Sequence, residues 1–229
     1  MRIAASLLFL LCGAAIAAPA ATEAPAPVPT TATPADPVFA HPAAAKELDA
    51  LLGPAARALG GAAAVRGAFS QRKFLRELPQ PLTSSGEFLV ARGIGIDWHT
   101  QQPFDSDLVL TPQAMVQRDG GAEAMRVDAS TQPGLGAVEQ VFDALFALDL
   151  PKLAERFTLY GLRGKDGWTL GLKPRDAALA KMIDTVVISG SEQPQRIVLH
   201  ETNGDRTEIS FSRQSALSSL SEADRQRFK

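Results

Sequence analysis

The chain has 229 residues, 45% hydrophobic and 21% charged, with 25 acidic against 23 basic side chains and a formal net charge of −2. That balance, without any basic cluster able to track a phosphate backbone, argues against a nucleic-acid partner. One cysteine and three histidines exclude a disulfide framework and leave no cluster with metal-ligand spacing.

The first 17 residues read as a secretory signal: Arg2 is the positive start, residues 3–11 the apolar run, and Ala15, Ile16 and Ala17 the cleavage site. The run is too short for a permanent membrane helix. Cys12 suggests lipidation, but Phe9, Leu10 and Leu11 before it are too bulky for lipoprotein processing, so an exported, unlipidated chain is expected. Residues 18–44 are mostly Ala, Pro and Thr. Such a segment cannot repay the entropy of ordering, which predicts a disordered, partly polyproline linker. Residues 45–215 suit one domain with one core, and 216–229 a polar surface helix or frayed tail.

Within the domain, Leu48, Leu51, Leu52, Ala55 and Leu59 fall at helical spacing. They predict a helix over 45–64 that breaks or restarts at Gly53-Pro54. From Gly67 the period changes to two. Strands are expected over 69–75 and 86–92, joined by the Pro79-Gln80-Pro81 loop, then over 94–100, 105–111 and 114–118, ending at Asp119-Gly120-Gly121. Phe88, Val90, Arg92, Ile94, Ile96 and Trp98 all occupy even positions. On extended backbone they share a face, which puts an arginine in an apolar surface. Two readings follow: an ordinary sheet with its charge at the rim, or an apolar concavity with one polar anchor, the usual form of a small-ligand pocket.

Residues 134–147 return to helical spacing through Leu135, Val138, Val141, Phe142, Leu145 and Phe146, and 150–156 add a short helical piece. Strands resume over 157–162, 167–172, 182–188, 195–201 and 206–212, the last two joined by the hairpin signal Asn203-Gly204. About ten strands in antiparallel runs imply a mainly β (α+β) domain whose curled sheet is covered by the mid-chain helix. Leu108 and Leu110 join the even-numbered residues as candidate cavity wall, which Trp168, Leu170 and Leu172 extend. Val141, Phe142, Leu145 and Phe146 are the lid candidates. Each of these could equally be dry core.

The ordered set Ala68-Phe69-Ser70-Gln71, Val90-Ala91-Arg92-Gly93, Ile96-Asp97-Trp98-His99 and Gln102-Pro103 resembles the periplasmic outer-membrane lipoprotein carrier family LolA, with similarity in element order over residues 45–215. The resemblance implies an incomplete β-barrel lidded by α-helices and a monomeric periplasmic carrier without a cofactor. It also implies an acylated lipoprotein or other lipid as cargo, an inner-membrane donor complex or exporter, and an outer-membrane acceptor. For Arg92 it implies a part in lid closure and cargo handover. A buried guanidinium needs partners, so Arg92 is expected to bond lid carbonyls or a carboxylate when the cavity is empty, as a latch. Gly93 replaces the family's usual proline, and residues 111–116 lack the family's aromatics. The altered wall widens the expected cargo to other lipids, polyene and fatty-acyl products included.

Two other classes compete. Asp97 and His99, with Ser84 or Ser85 as nucleophile, would be the residues of an acyl-ester hydrolase, yet no nucleophile elbow, metalloprotease motif or phosphate loop accompanies them and His41 and His200 stand far off in sequence. Asp97 and His99 are read instead as solvent-facing side chains on the strand face opposite Arg92, and no catalytic residue is expected. A non-catalytic envelope sensor or scaffold would use the same sheet to bind a lipid or protein without moving cargo.

Overall fold

The computed structural model describes residues 36–40, 42–131, 134–177 and 179–229, without the side chains of 134–139. The signal, most of the linker and His41 lie outside the described residues. Helices are α1 (Ala45–Gly60), α2 (Gly134–Ala147), α3 (Leu150–Arg156) and α4 (Glu222–Gln226). The first meander comprises β1 (Ala64–Phe74), β2 (Leu82–Ala91), β3 (Gly95–Gln102), β4 (Ser106–Leu110), β5 (Ala114–Asp119) and β6 (Ala122–Asp128). The second comprises β7 (Phe157–Arg163), β8 (Trp168–Pro174), β9 (Ile183–Gly190), β10 (Pro194–Glu201) and β11 (Arg206–Leu217).

Every pairing is antiparallel, and the two meanders join along one seam, β1 against β11, in the order β6-β5-β4-β3-β2-β1-β11-β10-β9-β8-β7. The register there sets Phe69 opposite Phe211, Gln71 opposite Ile209 and Lys73 opposite Thr207. Because β6 and β7 remain free ends, the sheet curls without closing. This is the mainly β domain that the residue pattern predicts, in the form of the helix-lidded incomplete barrel that the family resemblance implies. The core lies on its concave face, beneath α1 and α2, where Leu48, Leu52, Phe88, Trp98, Leu145 and Phe146 are all buried.

Four local features differ from the sequence reading. α1 runs unbroken through Pro54. Proline cannot donate to the carbonyl four residues earlier, and here the Arg163 guanidinium of β7 donates to that Ala50 oxygen at 3.2 Å. β6 was not expected, because its alternation is carried only by the half-buried Met125 and Val127 among alanines and charges. It is an edge strand, and Glu123, Arg126 and Asp128 discourage further pairing.

The end of the linker is also structured. Pro37–Ala40 forms a 3-10 turn whose Val38 is fully buried. It fits because Gly171 has no side chain: a Cβ there would meet Val38 Cγ1 at 2.8 Å. Phe39 meets Tyr160 edge-on at 5.3 Å, and Pro42 bridges to the same tyrosine, so this segment shields the β7 edge. At the other terminus, Leu217, Leu220 and Phe228 pack with Ile94 against Ala64, Leu89 and Ala91, on the face of the sheet away from the main core. Asp224 accepts from Ser221 at the start of α4 and from Arg66 at 2.8 Å. Among the described residues no helix is long and apolar enough to cross a membrane.

Candidate functional site

The concave face has two unlike halves. On the side of β1–β3 it is filled by aromatic rings. Phe69 stacks on Trp98 with centroids 4.0 Å apart, and Phe88 lies 5.4 Å from Phe146 and 5.2 Å from Phe211. Val90, Ile96 and Leu110 are buried in the same cluster, and Leu108 packs against it. Stacked and edge-on rings at these distances fill space efficiently, so Phe88 and Trp98, with Val90 and Ile96 buried in the same cluster, form a packed wall.

The void lies in the other half, under α2. Val141, Phe142 and Leu145 face it from the helix, and Leu172, Val186, Ile197, Leu199 and Ile209 from β8–β11. Leu179 and Met182 line it as well. The space measures about 950 Å³, its open mouth included, in a lining that offers few polar partners. Of the lid candidates, three line this space, and Phe146 belongs to the aromatic wall instead. Of the strand residues that complete it, Leu172 is among those expected to extend the cavity wall, whereas Val186, Ile197, Leu199 and Ile209 are predicted only as strand, although the alternation of Ile197, Leu199 and Ile209 was available as a signal.

One strip of the lining is polar. Gln71, Lys73 and Thr207 are all buried. Lys73 Nζ lies 3.3 Å from Glu201 Oε1, with the lysine side chain only 2% exposed. These residues occupy the end of the sheet where β1 finishes and β11 begins.

Arg92 stands at the opposite end. β2 ends at Ala91, so Arg92 falls in the turn and is exposed rather than set into the apolar face. Gly93, with φ 66°, turns the chain. Ile94 consequently packs on the far face with Leu89 and Ala91, not among the candidate cavity residues. The Arg92 guanidinium reaches the C-terminus of α1, donating to Gly60 O at 2.6 Å and Leu59 O at 3.4 Å. A cation there meets unpaired carbonyls and the negative end of the helix dipole. Val90, Arg92 and Phe146 share a narrow cleft beside this contact.

The convex face carries a separate charged group. Asp97, expected at the surface, is 2% exposed and bonds the Arg227 guanidinium from the C-terminal segment. Burial pushes its carboxyl above the usual range, and Arg227 offsets part of the rise. His99 is held between Asp107, at 2.5 Å from Nδ1, and Asp105, at 3.1 Å from Nε2. Ser84 pairs with Gln71 and shares its concave face, so Asp97, His99 and Ser84 do not come together.

The sequence profile of the family described as "Outer membrane lipoprotein carrier protein LolA" matches residues 61–227. No curated protein matches the chain. A LolA superfamily protein from Nitrosomonas europaea is similar in structure at 11% identity and a TM-score of 0.43, over 77% of this chain and 96% of that one. A putative outer membrane lipoprotein-sorting protein domain from Vibrio parahaemolyticus gives 11% and 0.40, over 79% and 97%. The complex of MucA and MucB from Pseudomonas aeruginosa gives 16% and 0.40, over 75% of this chain and 60% of that one.

Proposed function

The chain belongs to the outer membrane lipoprotein carrier family LolA, and from that premise we propose that it is a periplasmic carrier. It takes the acyl chain of a lipoprotein or other lipid into the void beneath α2 and passes it toward the outer membrane. The apolar void between α2 and β8–β11 is the observation that carries this reading.

Burial contributes about 0.8 kcal/mol per methylene, so a dozen carbons gain on the order of 10 kcal/mol before ordering costs. Entry and release of such a chain require α2 to lift from the sheet. Two features favour that movement. α2 rests on the sheet through side chains, and it ends at Leu148, whose φ of 50° is a left-handed conformation that normally selects glycine. Leu148 is held there by burial of its side chain, so the turn stores strain that a shift of α2 can release. Val141, Phe142 and Leu145 are the proposed cargo contacts on the lid. Arg92 is the proposed latch, acting on the last turn of α1 at the far end of the sheet.

The test is mass spectrometry of organic extracts from protein purified out of its native periplasm, followed by transfer of a fluorescent acyl probe from the loaded protein to acceptor vesicles. An acylated species in the extract and transfer faster than spontaneous release of the probe are expected. Failure to bind any acyl compound, or binding without transfer, overturns the carrier reading.

A further inference from the structure

The void runs up against the aromatic rings, and three elements pass from one to the other within a residue or two. On β11, Ile209 lines the space and Phe211 belongs to the rings; on β1 the same step runs from Gln71 to Phe69, and on α2 from Leu145 to Phe146. At the other end of the lining Leu179, Met182, Ile183 and Leu199 are half-buried, whereas Leu145, Ile197 and Ile209 are buried. The mouth is therefore where β9 begins and β10 finishes, and the rings stand at the bottom as a floor. Phe211 lies 5.2 Å from Phe88, 5.4 Å from Phe146 and 6.3 Å from Trp98. Phe88 in turn is backed by β1, where a Cβ on Gly67 would meet its ring at 2.9 Å, so this floor yields only by losing close packing.

We propose that the ring floor sets the length of acyl chain the protein takes, with Phe211 as the residue that marks the limit. The inference rests on the carrier reading and adds to it a chain-length class of cargo. Thr207 lines the void near its mouth, and from there to Phe211 β11 advances about 13 Å, at roughly 3.3 Å per residue. Three backbone bonds of an extended chain span about 3.3–3.6 Å, so an extended hydrocarbon advances roughly 1.2 Å per bond. The slot thus buries about a dozen carbons. Carbons beyond that number stay at the mouth in contact with water and add little to binding.

The experiment displaces a neutral fluorescent dye, N-phenyl-1-naphthylamine, from the purified full chain with saturated fatty acids of eight to eighteen carbons, each kept below its micellar concentration. Affinity should rise by about two- to four-fold per added methylene as far as about twelve carbons, and then level off. Ile209→Phe fills the slot ahead of the floor and should move the break to shorter chains by about two carbons or more. Phe211→Leu lowers the floor and should move the break to longer chains by about as much; if that variant folds poorly, Ile209→Phe alone decides. A rise that continues unbroken through eighteen carbons, or a break unmoved in Ile209→Phe or in a folded Phe211→Leu, overturns the length limit while leaving the carrier reading standing. No displacement by any of the acids overturns both.

Discussion

Arg163 donates to the carbonyl of Ala50 at 3.2 Å, supplying from β7 the hydrogen bond that Pro54 withholds inside α1. The helix therefore stays whole across a residue that would normally break it, and α1 is tied to an edge strand.

Replacing Arg163 by Met should cost about 1 kcal/mol, the net worth of a single hydrogen bond near the surface. Adding Pro54→Ala should recover most of it, because residue 54 then donates to Ala50 itself. Denaturant midpoints of the two single variants and the double variant check this. Equal losses in Arg163→Met with and without Pro54 would show that the contact does not compensate for the proline.

The two halves of the concave face should respond differently to substitution. Phe88→Ala removes a ring packed against Trp98, Phe146 and Phe211 and should cost about 3–5 kcal/mol of stability. Leu199→Trp adds bulk where the void can take it, so its stability should change by roughly 1 kcal/mol or less. Binding of an acyl probe should nevertheless weaken by about ten-fold or more, because the ring occupies space the chain needs. Calorimetry and probe titration separate the effects, and tight probe binding by a stable Leu199→Trp protein would move the cargo site elsewhere.

Arg92→Leu removes both guanidinium bonds to the last turn of α1. The loss should be about 1 kcal/mol and should appear as faster deuterium exchange in that turn. If the contact acts as a latch, release of a bound acyl probe should quicken by about five-fold, the factor such an energy supports. Release at the parent rate, with exchange increased, would leave Arg92 as a helix cap and nothing more.

The alternation of residues was enough to locate nearly every strand and the mid-chain helix, because a two-residue period specifies which side chains share a face. It could not say which stretches of one continuous face are filled. Phe88 and Trp98 pack solid because rings from β1, β11 and α2 converge on them, and those partners are distant in sequence. Leu199 and Ile209 look no different in the sequence, yet they border the void. Arg92 and Ile94 were assigned to the inner face on even numbering, but the turn that starts after Ala91 ends that numbering rule. Asp97 was read as a surface carboxylate because its cover, Arg227, comes from the far end of the chain.

That cover gives a pH signature. Burial raises the Asp97 carboxyl above the ordinary carboxylate value of 3.8, while Arg227 is the largest influence lowering it. His99 also lowers it and Asp107 raises it. A raised folded-state pKa means that the folded chain holds the proton more tightly than the unfolded chain. Ionisation of Asp97 therefore costs stability as pH rises from 3.8 through the folded-state pKa, and the cost persists above it. Asp224 acts in the opposite sense, since bonds from Ser221 hold its carboxyl below the usual range and its contribution is lost as pH falls. Comparing Arg227→Met with the parent cancels the Asp224 part. The variant should be less stable by about 2 kcal/mol at neutral pH, having lost a partner to a buried charge, and the deficit should shrink as acidification protonates Asp97. Carbon-13 shifts of the Asp97 carboxyl should titrate at higher pH in the variant. In Asp97→Asn/Arg227→Met the shrinkage of the deficit should disappear; if it persists, a group other than Asp97 is responsible for it.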